Sequence, residues 1–553
     1  MKKENIKITF PDGKIQEVEY GTEAGKLIEK MGLPMDYVRA ARINNKLYSL
    51  DKEIRYNAIV EPVMADTKDG AAVYRRSLCL LLGAASHSLF PNTRLVVGHS
   101  LDYGYYYTLD TESEILESQD QQIEAKMREL VSQALPIETQ LISYQDAVSL
   151  FKKKGLKESL HQLDFICPPR VRVIQLGEFY DIYFGPHVIN TKYLKTFELL
   201  KYSEGFLLRF PRSHEPDILR DFVDQPKLFE VYKNYKWWGK RLGVTSVSDL
   251  NQLVISRKIN DFIDITETLQ EKCISVIATQ IAKRKNVRVV LIAGPSSSGK
   301  TTTSKKLALE LQAIGYRPKV ISLDCYYVGR DRTPKDENGE LDFECLEALD
   351  IEVLNQNLVD LFEGKEVIIP TYDFHSGNQY FDKENTMKLE ENEILIMEGI
   401  HGLNPKLTPK IPDDKKFKIY LSALTQLNLD DHNRISTSNN RLIRRIVRDY
   451  QFRGKDAAGT IAMWPSVRKG EEKHIFPFQN NADAILNTAL DYELSVLKVY
   501  AEPLLRCVKP TEKEYGEACS LLTFLDQFAT IDPSSIPPRS ILREFIGGSA
   551  FKY

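Results

Sequence analysis

Apolar and polar residues alternate along Ile6–Phe10 and again along Lys14–Tyr20, with Pro11, Asp12 and Gly13 between the two runs. Period-two alternation on both sides of a turn sequence predicts a β-hairpin. Thr22 is placed to cap a short helix reaching Gly32, and ARINNKLYSL (41–50) and NAIVEPV (57–63) supply further strands. A different pattern governs the C-terminal half. Arg288–Ala293 is a continuous apolar, β-rich run, followed after a Gly/Ser-rich stretch by Leu307, Leu311 and Ile314 at helical spacing, and then Gly315. KVISLDCYYV (319–328) and ENEILIMEGIHGL (391–403) read as two more buried strands, and Phe262 to Lys283 as a helix leading into the first. ADAILNTALDYELSVLKVYAEPLL reads as a helical ending, PSSIPPRS as a loop, and SILREFIGG as a last short element.

The stretch between the first apolar run and its helix carries chemistry. Gly294, Pro295, Ser296, Ser297, Ser298, Gly299, Lys300 and Thr301 fill G-x-x-x-x-G-K-[ST], with Thr302 next. Strand, glycine loop and helix are the context this motif requires. Glycines let successive N–H groups turn toward phosphate oxygens, and the helix adds its free N–H groups and positive end. Lys300 is placed to reach the β/γ-phosphates and Thr301 to hold Mg²⁺. Asp324 ends the second run, where a carboxylate can take a proton from an attacking hydroxyl; a helix-capping aspartate is the other reading. Glu398 ends the third run and suits a second acid for Mg²⁺. Arg441, Arg444, Arg445 and Arg448 share one helix face. A phosphate-clamping lid is favoured there over a solvated basic face or a nucleic-acid patch, because four like charges need an anion between them.

Composition adds limits. The 553 residues suffice for three or four domains, and net charge is −3, so bulk charge does not attract polyanions. Seven cysteines without a C-x-x-C pair fit a reducing compartment. The N-terminus lacks an apolar signal core and no apolar stretch spans a bilayer, so the reading is cytosolic, with no membrane partner. Trp237 and Trp238, beside Lys236, Lys240 and Arg241, are read as a buried pair at a domain junction in preference to a base-stacking platform.

Three resemblances follow from these residues. ITFPDG, YGTEAGKLIEKMG and INNKLYSL make 1–64 similar to the TGS domain, a β-grasp module. This implies a site for RNA or a small nucleotide, with a merely packed module equally open. RRSLCLLLGAASHSLFP, VVGHSLDYGYYYTLD and FGPHVINTKYLKTFELLKYSEGFLLRF make 66–212 resemble the second domain of threonyl-tRNA synthetase, an α+β editing-type domain. Leu80, Ala84 and Tyr183 replace three of that family's four site residues and only His187 survives. One imidazole cannot hold Zn²⁺, so the fold is expected without the hydrolytic chemistry. Residues 213–285 are then a connecting helical segment. GPSSSGKT, SLDCYY, IPTYDF, MEGI and RLIRRIVRD-x-x-x-RG make 286–505 resemble the uridine kinase and phosphoribulokinase family, a doubly wound parallel-sheet P-loop fold. Residues 506–553 are a C-terminal extension without a functional account.

The third resemblance implies an ATP- and Mg²⁺-dependent kinase for a nucleoside 5′-hydroxyl, of the uridine or cytidine kind. It makes Asp324 the base, puts Thr301, Asp324 and Glu398 around the metal, and Tyr327 and Tyr372 at the base or ribose. It makes Arg441, Arg444 and Arg448 lid residues. Glu344 stands where the family has a ribose-binding aspartate, and His375 in YDFHSGNQ is the substitute for the family's pyrimidine-selecting residues. The rival is a nucleotide-gated, RNA- or tRNA-binding regulator that uses the loop as a switch. Homo-oligomerisation stays open.

Overall fold

The computed structural model describes residues 5–110, 118–337, 339–373 and 376–552. They form two units. The first comprises Met1–Ser256, Gln426–Ile435 and Glu502–Ala529; the second comprises Arg257–Thr425, Ser436–Ala501 and Thr530–Tyr553.

The first unit begins with a five-stranded sheet in the order Ile15–Glu19, Asn5–Thr9, Ala58–Met64, Val38–Ile43, Lys46–Tyr48. The predicted hairpin is present. Ile6 and Ile8 point into the core while their neighbours face outward, and Gly13 turns the chain at φ +81°, a left-handed conformation that favours glycine. Thr22 is not a helix cap. It lies in a two-residue strand against Ile54, and its hydroxyl donates to Glu19 O at 2.7 Å; the helix is Ala24–Glu29, without a side-chain cap.

Next, the helix Lys68–Leu89, capped by Thr67, packs Leu78, Leu81, Leu82 and Ala85 into a second core. A four-stranded antiparallel sheet (Glu198–Tyr202, Gly205–Arg209, Gly104–Asp110, Arg94–Leu101) and a three-stranded one (Glu138–Ser143, Arg170–Leu176, Phe179–Ile182) complete this part. The helix Pro226–Leu242 carries Trp237 and Trp238, which are 49% and 39% exposed, correcting the expectation of a buried pair.

The second unit is built on a five-stranded parallel sheet in the order Arg317–Ser322, Glu393–Glu398, Val289–Ala293, Lys416–Ser422, Ala484–Asn487. Val289–Ala293 is buried on both faces, which explains its unbroken apolar run. Each such side chain, fully buried, contributes about 1.5–3 kcal/mol. The edge strand Ala484–Asn487 falls in a stretch that reads as wholly helical; the helix begins only at Glu493. Strand pairing with Ile419–Ser422 overrides the local helical pattern there.

Candidate phosphate-loop site

Sheet register sets the site. Glu398 pairs with Ile292 on one side and Ser322 on the other, so three strands end level with each other. The loop after Ala293, Glu398 itself and the turn after Ser322 therefore meet at one edge, the C-terminal edge where ligands bind in open parallel sheets.

The loop from Gly294 to Gly299 leads directly into the helix Lys300–Ala313. A Cβ on Gly294 would stand 2.7 Å from Leu421 O, so only glycine fits, and Gly299 adopts φ +80°. Lys300 Nζ donates to Gly294 O at 3.1 Å and Pro295 O at 3.3 Å, which folds the ammonium over its own loop. The hydroxyls of Ser297, Ser298 and Thr303 are buried here without a hydrogen-bond partner. Orphaned donors around a curled backbone suit phosphate oxygens.

Thr301 Oγ1 donates to Glu398 Oε1 at 3.3 Å. Burial, with the Asp324 carboxylate nearby, pushes the Glu398 carboxyl up to about 7. Asp324 lies two residues past its strand, in the single helical turn Leu323–Tyr326, where its N–H donates to Ser322 Oγ at 3.3 Å. The residue is exposed. Loss of surrounding water still raises its carboxyl above the ordinary range, against the pull of Lys300, Arg453 and Arg448. A hydroxyl and two carboxylates are hard oxygen donors of the kind Mg²⁺ takes.

Beyond Asp324, Tyr327 and Tyr372 face each other with ring centroids 5.5 Å apart, and the Tyr327 hydroxyl donates to Phe343 O at 3.1 Å. Glu344 follows Phe343. Burial, then the charge of Glu471, raises its carboxyl to about 7 while Arg445 and Lys300 pull it back. The structure thus brings together Tyr327, Tyr372 and Glu344, three of the residues expected at a sugar and base. His375 lies outside the described residues.

The arginine face is real but aimed differently from a lid over open space. On the helix Thr437–Arg453, Arg441 and Arg444 are 1% and 0% exposed. Arg441 pairs with Glu471 and Arg444 with Glu493, while Arg445 donates to Asp449 at 3.1 Å. Carboxylates of the protein thus balance these charges. Arg441 Nε also donates to Ser296 O at 2.9 Å and Arg444 to Ser297 O at 3.2 Å, so both brace the loop from behind. Arg448 donates to Asp449 at 3.0 Å and Arg453 lies 3.7 Å from the same carboxylate; both also act on the charge of Asp324, a role the sequence did not assign to Arg453. Glu471 was also missed. It accepts from the Ser296 N–H at 3.1 Å, a contact that no spacing rule connects.

In the first unit, Leu80 and Ala84 are buried core residues and a Cβ on Gly83 would stand 2.7 Å from the Phe179 ring. His187 is buried beside Tyr183, ring centroids 5.9 Å apart. Burial and the neighbouring Arg76 hold its imidazole well below the usual range, hence neutral. Asp181, Asp430 and His432 place one ligand atom each within 4.8 Å of the others. Asp430 already accepts from the backbone N–H groups of His432 (2.9 Å) and Asn433 (2.8 Å) and from the Asn433 amide, and His432 Nδ1 lies 3.2 Å from Asp181. A buried ion pair with a turn cap accounts for the cluster. No helix among the described residues is long and apolar enough to cross a membrane.

Residues 289–495 match the model of the Phosphoribulokinase / Uridine kinase family. The N-terminal part is similar to threonine–tRNA ligases. The ligase of Desulforamulus reducens is 31% identical over 208 residues, covering 36% of this chain and 32% of the ligase. That of Francisella tularensis is 29% identical over 202 residues, with the same coverage. The chain thus spans about a third of the length of the curated relatives it matches. A solved structure titled a possible uridine kinase from Bacillus stearothermophilus is 19% identical, with a TM-score of 0.27, covering 39% of this chain and 98% of its own. Residues 289–495 are a domain of the Phosphoribulokinase / Uridine kinase family, built on a parallel sheet, within a multidomain chain.

Proposed function

We propose that this domain transfers the γ-phosphate of ATP to the 5′-hydroxyl of a nucleoside of the uridine or cytidine kind, giving the monophosphate. The observation that carries the reading is the contact between Thr301, in the first turn of its helix, and Glu398, at its strand end, with the Asp324 carboxylate near enough to act on Glu398. Thr301, Glu398 and Asp324 would hold Mg²⁺, which when bound supplies charge neutralisation at the transferred group. The residues do the rest by position. The loop N–H groups and Lys300 orient the donor. Tyr327, Tyr372 and Glu344 set the acceptor's sugar against Asp324. The raised basicity of the Asp324 carboxylate favours taking the hydroxyl proton, while Lys300, Arg453 and Arg448 favour its ionised form, the form that can accept one.

The similarity of the N-terminal part to tRNA ligases favours one other reading, a regulator whose loop is a nucleotide switch and whose first unit binds RNA. Incubation with labelled ATP, Mg²⁺ and a panel of nucleosides separates them. Labelled monophosphate from one or more nucleosides supports the kinase. ATP hydrolysis that tRNA stimulates, with no phosphorylated acceptor, supports the regulator.

A further inference from the structure

The C-terminal extension ends on the phosphate loop. Glu544, in the short turn Arg543–Ile546, accepts two hydrogen bonds through Oε2, from the Thr302 N–H at 3.1 Å and the Thr302 hydroxyl at 2.7 Å. Thr302 is fully buried and is the third residue of the helix Lys300–Ala313. Its N–H is one of the first-turn donors with no partner inside the helix, the donors a phosphate loop offers to an anion.

The carboxylate is fixed there by its neighbours. Ile541 Cγ2 stands 2.7 Å from where a Cβ on Gly299 would be. Phe545 lies 4.9 Å beneath the Arg444 guanidinium, and Arg444 also holds the loop at Ser297 O. Ile541, Leu542 and Phe545 are fully buried, and Arg543 donates back to Pro533 O and Ile536 O at 3.0 and 2.5 Å.

We propose that Glu544 is a built-in competitor of the donor's phosphates: it occupies both donors of Thr302 as a phosphate would, so a nucleotide binds only when Glu544 leaves them. A carboxylate and a phosphate oxygen cannot share one N–H and one O–H without repelling each other. The proposal rests on the loop being a nucleotide site, as read above.

The test uses the full chain with Mg·ATP. Calorimetry compares wild type, Glu544→Gln, Glu544→Ala and Lys300→Ala, while hydrogen exchange follows residues 540–552. Glu544→Gln keeps the shape and removes the charge. Losing one charge-assisted hydrogen-bond pair from the free state should tighten binding about tenfold or more. Saturating Mg·ATP should speed exchange in residues 540–552 of wild type. Equal or weaker binding by both Glu544 variants, with Lys300→Ala still impaired relative to wild type, overturns the competitor and leaves the nucleotide site standing. Failure of every protein to bind Mg·ATP, Lys300→Ala being no different from wild type, brings down the nucleotide site and the competitor with it.

Discussion

Arg441 and Glu471 form an ion pair in which neither side chain exposes more than 2% of its surface. Glu471 also accepts from the Ser296 N–H and from Arg468, so one carboxylate ties the arginine helix to the phosphate loop. Glu471→Ala leaves Arg441 buried without its partner and should cost about 3–5 kcal/mol in urea unfolding. Replacing both residues by leucine should cost less than the single change, since no unpaired charge remains. Equal or greater loss in the double variant would show that Glu471 acts through something other than the pair.

Asp324→Asn should fold and still bind Mg·ATP, more weakly for the loss of one metal-holding oxygen, while phosphoryl transfer at saturating Mg·ATP falls about 10²–10⁴-fold, the usual contribution of a positioned base. Single-turnover rates and calorimetry separate the two effects. Near-normal turnover would remove Asp324 from the role of base.

Glu344 predicts a pH dependence of stability. Its carboxyl sits at about 7 in the folded chain against an ordinary 4.5. The folded state therefore holds the proton more tightly. The stabilisation is complete below about 4.5 and is lost as pH rises through about 7. Glu344→Gln stays neutral throughout. Its melting temperature relative to wild type should climb between pH 5 and pH 8, and a difference independent of pH would contradict the assignment.

His432 predicts a second window. Burial would lower its pKa, but Asp181 and Asp430 outweigh burial and raise it from 6.5 to about 9. The pair's stabilisation is full below about 6.5 and fades as pH passes through about 9. His432→Gln should lower the urea midpoint markedly at pH 6 and little at pH 9.5. A constant deficit would mean that packing against Phe179, ring centroids 5.3 Å apart, matters more than charge.

Much of this protein was legible in its residue order because the physics there is local. Alternation in Ile6–Phe10 gave the hairpin, and the apolar run up to Ala293 with its glycine loop gave the strand–loop–helix unit. The run ending in Glu398 gave the strand whose last residue meets Thr301. Each of these follows from side-chain period, turn chemistry or glycine freedom within about fifteen residues. What only the tertiary structure decided involves partners far apart in sequence. Pairing with Lys416–Ser422 turned 484–487 into a strand, packing left Trp237 and Trp238 open to solvent, and Glu471 and Glu493 took the charges of Arg441 and Arg444. Glu544 reached Thr302 across 242 positions. A buried charge is settled by whichever opposite charge the fold carries to it, and no local pattern encodes that choice.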